Sequence, residues 1–208
     1  MAKKNNRNTK SKIIAAAWKL FYEQGYDDTT VEDIVAESGT SKGSFYHYFR
    51  GKDALLGALS ELFDEKYTSL MDTIQEEMHS FDKLMYLNQE MFRMIDDSIS
   101  LPLLARLYSS QLVTSGQRHL MDHNRVYFQV LRQIVSEGQR KGELKDDISV
   151  GELVKTYAMC ERALIYDWCL CNGEYSLSRY AKEMMPRFLG GFCKVQNNKG
   201  EVERKQCE

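Results

Sequence analysis

The chain has 208 residues, 43% of them hydrophobic, and a formal charge of −2, which suits a globular protein with a sizeable core. No apolar run approaches the roughly 18 residues of a membrane span, and Met1-Ala2-Lys3-Lys4-Asn5-Asn6-Arg7 opens no secretory leader, so a cytoplasmic protein is expected. Five scattered cysteines (Cys160, Cys169, Cys171, Cys193, Cys207) make no disulfide framework, and only two prolines (Pro102, Pro186) in a Leu-, Met-, Glu- and Lys-rich chain predict an all-α fold.

Charge is unevenly spread: residues 1–52 carry nine Lys and Arg against six acids, an excess of +3 that leaves −5 for the remainder. Five of those cations fall within the first twelve residues, which read as a flexible basic arm suited to a polyanion. From Thr9, the repeat Ile13, Ile14, Ala17, Trp18, Leu20, Phe21 predicts a first helix that stops at Gly25. A second, from about Val31 to Ser38, is capped by Thr30 with Asp33 as a shortened capping-box partner and is stopped by Gly39.

Only Gly39-Thr40-Ser41 separates it from a third short helix over Lys42-Gly43-Ser44-Phe45-Tyr46-His47-Tyr48, for which Ser41 is a suitable cap. Two short helices joined by a three-residue, glycine-containing turn make a helix-turn-helix, whose second helix enters the major groove of DNA by its N-terminal end. Small residues at that end are then a functional requirement, which Lys42, Gly43 and Ser44 meet. Gly inside a helix costs about 1 kcal/mol relative to Ala, so close approach to DNA explains Gly43 better than stability does. Tyr46, His47 and Tyr48 supply donors for phosphate oxygens, while Phe45 and Phe49 are expected to pack inward.

The run from Thr29 to Leu56, TTVEDIVAESGTSKGSFYHYFRGKDALL, resembles the DNA-binding segment of the TetR family of bacterial regulators, and the likeness covers about residues 9–60. It rests on Phe21, the Gly25 stop, the Thr-Thr entry to the second helix, the Ser-Gly turn, Tyr46-x-x-Phe49 and Lys52-x-x-Leu55-Leu56. The resemblance implies that Lys42 and Gly43 approach bases, and that Thr30, Ser41, Tyr46, His47 and Lys52 contact phosphates. One departure is that Tyr48 stands where the family often has His, with His47 before it. The resemblance also implies a repressor that binds operator DNA as a homodimer and answers to a small-molecule effector.

After residues 1–52, a helical body is expected over 53–194 and a disordered polar tail over 195–208. Apolar spacing predicts one long helix from Lys52 to about Met78, then helices over 81–97 (cap Ser80), 102–112, 117–141, 150–172 (cap Ser149, box partner Glu152) and 177–192. In the family the last two helices of each subunit form a four-helix dimer interface. Here that role would fall to Val150, Leu153, Tyr157, Leu164, Ile165, Trp168, Met185 and Phe188. Two recognition helices about 34 Å apart would then read a near-palindromic operator. For an effector cavity the aromatic and Met-rich middle helices offer Phe63, Tyr67, Met71, Phe92, Tyr108, Gln111, Tyr127 and Arg162, with Arg93, Glu161 and Asp167 as further polar candidates.

Other chemistry is poorly supported. His119 and His123, four apart, lack a third ligand at metal spacing, and Cys169-x-Cys171 places its thiols on different helix faces. No phosphate-binding Gly loop, nucleophile elbow or zinc-protease motif occurs, so neither catalysis nor a cofactor or metal is expected. A thiol- or metal-responsive DNA-binding regulator is the second reading, and a helical interaction module or enzyme the third.

Overall fold

The computed structural model describes residues 2–113 and 118–194, with the side chains of residues 2–8 outside the description. Among the described residues there are nine α-helices: α1 (Ala2–Glu23), α2 (Val31–Ser38), α3 (Lys42–Tyr48), α4 (Leu56–Met71), α5 (Ser80–Ser98), α6 (Leu101–Val113), α7 (Val126–Lys141), α8 (Val150–Leu170) and α9 (Leu177–Leu189). The expected all-α class is what the chain adopts. None of the described helices is long and apolar enough to cross a membrane.

Helices α1 to α3 pack on one another around Ile13, Ala17, Phe21, Ile34 and Phe45, all buried. Helix α1 reaches back to Ala2, so the stretch read as a flexible arm continues that helix. The expected tail at 195–208 lies outside the described residues.

The long helix predicted from Lys52 is shorter and broken. It opens with a 3₁₀ turn, Lys52–Leu55, and α4 ends at Met71, leaving Ile74 and Met78 in the following loop. Helix α5 is capped by His79, whose Nδ1 accepts from Phe81 N at 3.2 Å, while Ser80, the predicted cap, donates its own N–H to Glu143 at 2.8 Å. Helix α7 begins at Val126, after a 3₁₀ turn at His119–Met121, so His119 and His123 never share a helix. Ser149 does cap α8, accepting from Glu152 N at 3.2 Å.

In the body, α8 packs against α6, α7 and α9, and α5 lies along α9. This corrects the predicted interface stripe. Leu153, Tyr157, Leu164, Ile165, Trp168 and Met185 are all buried within a single subunit, and Tyr157 OH donates to Leu84 O across to α5 at 2.9 Å. With 7% or less of their surface exposed, these residues have little left to bury against a second copy, so the apolar stripe of α8 faces its own core. Val150 is half-buried and Phe188 remains exposed. The apolar side chains that α8 and α9 turn outward are Met159, Tyr166, Leu170, Tyr180 and Phe188.

Gly138 sits where α7 meets the loops before α5 and α8. A Cβ there would stand 2.7 Å from both Ser80 Cβ and Leu144 Cδ1. Leu144 is pinned by its own N–H to Gly138 O and by a bridge to Cys193, so it has little room to yield. Gly138→Ala is therefore expected to destabilise the fold by about 1–3 kcal/mol in urea unfolding, as overpacking does; an unchanged midpoint would mean that this crossing is loose.

Candidate nucleic-acid interface and internal cavity

Helix α2 is closed at its start by a reciprocal capping box: Asp33 N donates to Thr30 Oγ1 at 3.1 Å, and Thr30 N donates to the Asp33 carboxylate at 2.8 Å. The Thr30 hydroxyl also donates to that carboxylate at 2.6 Å, and these bonds hold Asp33 below the usual carboxylate range. A phosphate contact by the Thr30 hydroxyl would thus compete with Asp33. The helix ends at Gly39, whose φ of 61° is the left-handed conformation that glycine adopts without penalty.

Ser41 caps α3, accepting from Ser44 N at 3.0 Å, with the two hydroxyls 2.9 Å apart. Seven residues cannot hold a helix unaided. Phe45 and Phe49 supply the anchor, both buried, with ring centroids 5.7 Å apart. Turning those two inward leaves Lys42, Gly43, Tyr46 and His47 exposed on the other side, while Tyr48 is half-buried with its ring edge-on to His47. Lys42 pairs with Glu32 of α2, a bond that raises the lysine and lowers the glutamate from their usual ranges. A Cβ on Gly43 would meet nothing nearer than Ser41 Oγ at 3.8 Å, so nothing inside the protein requires glycine there.

Lys52 departs from its expected phosphate role. Its ammonium donates to Tyr26 O (2.6 Å), Asp27 O (3.2 Å) and Thr29 O (2.8 Å) and lies 4.3 Å from the centroid of the Tyr26 ring. Three donors are all an ammonium has, so Lys52 clamps the α1–α2 loop to the root of α4. Tyr26 OH donates to Asp53 in the same joint, and Arg106 of α6 reaches Asp27 at 3.1 Å.

Within the body, Phe63, Tyr67, Phe92, Tyr108, Tyr127 and Arg162 come together around a cavity of about 60 Å³, joined by Met91, Ile95, Leu120, Arg125, Glu161 and Ile165. It shares Tyr108, Leu120 and Arg162 with a neighbouring cleft of about 740 Å³, which Gln111, Arg118, Met121, Tyr166, Cys169 and Leu170 also line. Ligand sites for drug-sized molecules run to about 300–1,000 Å³, so the cleft, not the inner cavity, has the capacity. Met71, at the end of α4, lines neither. Arg93 is spent on Glu90 at the surface, and Asp167 accepts from Tyr175 OH.

The buried polar groups of the cavity are Glu161, which accepts from Asn88 Nδ2 (2.8 Å) and Tyr127 OH (2.7 Å), and Arg125, which reaches Asp64 (2.8 and 3.1 Å) and Ser60 O (3.0 Å). Burial pushes the Glu161 carboxyl up and the phenols of Tyr67, Tyr108 and Tyr127 well above their ordinary range. Sequence reasoning named Glu161 only as one polar residue among several, and passed over Arg125 and Asn88. A charged residue inside the Tyr157–Ile165 apolar stripe was the available signal for Glu161. For Arg125, in the loop before α7, there was none. The thiols of Cys160, Cys169, Cys171 and Cys193 are all pushed up by burial, a poor setting for thiolate chemistry. Among the described residues no group of three or more His, Cys, Asp or Glu side chains is placed to hold a metal.

Two substitutions separate the roles of these residues. Gly43→Ala is expected to leave thermal stability unchanged or raise it by up to about 1 kcal/mol while weakening DNA binding at least about tenfold. Lys52→Met is expected to lower stability by about 1.5–3 kcal/mol with no DNA present, which a mere phosphate contact would not do. Melting curves and anisotropy titrations on labelled DNA read both.

Comparison with known proteins agrees with this arrangement. Residues 13–59 match the model for bacterial regulatory proteins of the tetR family, and residues 63–191 match that of the YsiA-like protein C-terminal region. The chain is 22% identical over 189 residues to the fatty acid metabolism regulator protein of Bacillus subtilis, covering 90% of this chain and 97% of that protein. The structure resembles the transcriptional regulator FadR from Bacillus subtilis in complex with stearoyl-CoA, with a TM-score of 0.69 and 22% identity over 88% of this chain and 98% of that one. It also resembles Thermus thermophilus FadR in complex with lauroyl-CoA, with a TM-score of 0.70 and 18% identity over 91% of this chain and 98% of that one. With both halves matched, the chain belongs to the TetR family of bacterial regulatory proteins.

Proposed function

We propose that this protein is a dimeric repressor that binds a near-palindromic operator through α3 and is released when a small molecule with an extended apolar part occupies the body. The observation that carries the DNA half is the exposed start of α3, where Lys42, Gly43 and Tyr46 face outward because Phe45 and Phe49 face in. Lys42 reads base edges after leaving Glu32, Gly43 allows the backbone close approach, and Tyr46 and His47 hold phosphates on either side. Ser41 and Ser44 shape the helix start and contribute hydroxyls there. The partner subunit docks on the outward faces of α8 and α9, where Met159, Tyr180 and Phe188 stand exposed.

The effector half rests on the cleft and the connection behind it. Arg125 lines the inner cavity and is ion-paired to Asp64 of α4, the helix whose root is clamped to the α1–α2 loop by Lys52. An effector that enters through the cleft and presses on Arg125 shifts α4 and with it the spacing of the two recognition helices. It acts only to the extent that it binds the mis-spaced conformer more tightly. Coenzyme A thioesters of long-chain acids are the first compounds to test, because two structures of the same fold hold stearoyl-CoA and lauroyl-CoA.

Selection from sheared genomic DNA of the source organism at about 150 mM salt, with wild type and Tyr46→Ala in parallel, tests the reading. Wild type is expected to recover a near-palindromic site that the variant does not. Failure of both to enrich any site, alone or with the effector panel, would sink it.

A further inference from the structure

Glu161 is a carboxylate on α8 that is 5% exposed and borders a cavity, yet no described Lys or Arg comes within ion-pairing distance of it. Neutral groups donate to it, Asn88 Nδ2 at 2.8 Å and Tyr127 OH at 2.7 Å, and the Tyr157 hydroxyl lies beside it as well. Of the two arginines in the lining, Arg125 spends its guanidinium on Asp64 and Ser60 O, and Arg162, at the edge shared with the outer cleft, favours the charged Glu161 by its field without pairing with it. Around the carboxylate the walls are rings: Phe63, Tyr67, Phe92, Tyr108 and Tyr127 all line the cavity, with Tyr67 and Tyr127 at 5.1 Å between centroids. A buried negative charge without a fixed counter-ion is costly, and aromatic faces attract cations.

We propose that the inner cavity is the binding site for a cationic group, an amine or quaternary ammonium, on an effector whose apolar part lies in the outer cleft. The inference rests on the effector-binding reading of the body and names the chemistry recognised at its deep end. The ammonium pairs with Glu161 and lies against the tyrosine and phenylalanine rings. The apolar chain leaves past Tyr108, Leu120 and Arg162 into the cleft. At about 60 Å³ the inner space admits a small head once the rings adjust, and the cleft supplies the volume for the rest.

The test is a calorimetric titration of the full-length protein with decyltrimethylammonium, decanoate and decanol below their micelle concentrations, alongside operator release by the same compounds and by stearoyl-CoA. The cation is expected to bind about tenfold or more tighter than the anion or the alcohol. Glu161→Gln should remove that preference, and Tyr67→Leu, which leaves the hydrogen-bond partners of Glu161 in place, should weaken the cation alone by about fivefold. Equal binding of all three compounds by wild type, or tighter binding of the anion, overturns the proposal even if the glutamine variant fails to fold. Operator release by stearoyl-CoA with no cation preference would leave the repressor reading standing and this one refuted. Loss of operator binding itself would instead refute the repressor reading.

Discussion

Arg125 ties the cavity lining to the helix that joins the body to the DNA-binding helices. Its guanidinium meets both oxygens of Asp64 and the carbonyl of Ser60, and the backbone N–H of Tyr127 adds a further bond to Asp64 at 3.3 Å. The pair is largely shielded from solvent, with side chains 10% and 19% exposed. The pair and its added hydrogen bonds tie the start of α7 to the middle of α4. The root of α4 is in turn fixed to the α1–α2 loop by Lys52 and by Tyr26 on Asp53, and α6 reaches that loop through Arg106. Such rigid connections transmit a displacement instead of absorbing it.

The head shows how a short helix can present a polar face at all. A seven-residue α3 has no intrinsic stability, and Gly43 lowers it further. What fixes it is local and redundant: the Ser41 cap, the left-handed Gly39 turn, and two phenylalanines buried against α1 and α2. Because those anchors occupy one side, Lys42, Gly43, Tyr46 and His47 are left exposed on the other. The position of Lys42 and Tyr46 is therefore a packing result, and the open space around Gly43 is what packing leaves for a partner from outside.

The same distinction between local and remote causes separates what was legible in the sequence from what was not. Caps, stops and periodicity are written within a few residues, which is why α2, α3 and the Ser149 start of α8 could be read directly. The aromatic lining of the cavity was readable too, since large rings in neighbouring amphipathic helices converge. The α8 stripe was assigned the wrong neighbour because a run such as Leu153, Tyr157, Leu164, Trp168 records that one face is covered, not what covers it. Lys52 was misread for a related reason: its partners are carbonyls of Tyr26, Asp27 and Thr29, more than twenty positions away, and carbonyls leave no trace in a sequence. The break of α4 at Met71 and the late start of α7 at Val126 fall where apolar spacing continues through a turn, so periodicity alone ran past both.

The energetics of release favour the two-part site that the body contains. Moving a two-state protein from nearly all one form to nearly all the other takes about 5.5 kcal/mol of differential binding. A buried methylene contributes about 0.8 kcal/mol, so an apolar chain must bury about seven more methylenes in the releasing conformer than in the binding one. The inner cavity, at about 60 Å³, cannot hold that many, whereas the cleft of about 740 Å³ can. In the proposed mechanism a polar contact at the deep end decides which apolar molecule is accepted, and the cleft supplies most of the differential burial.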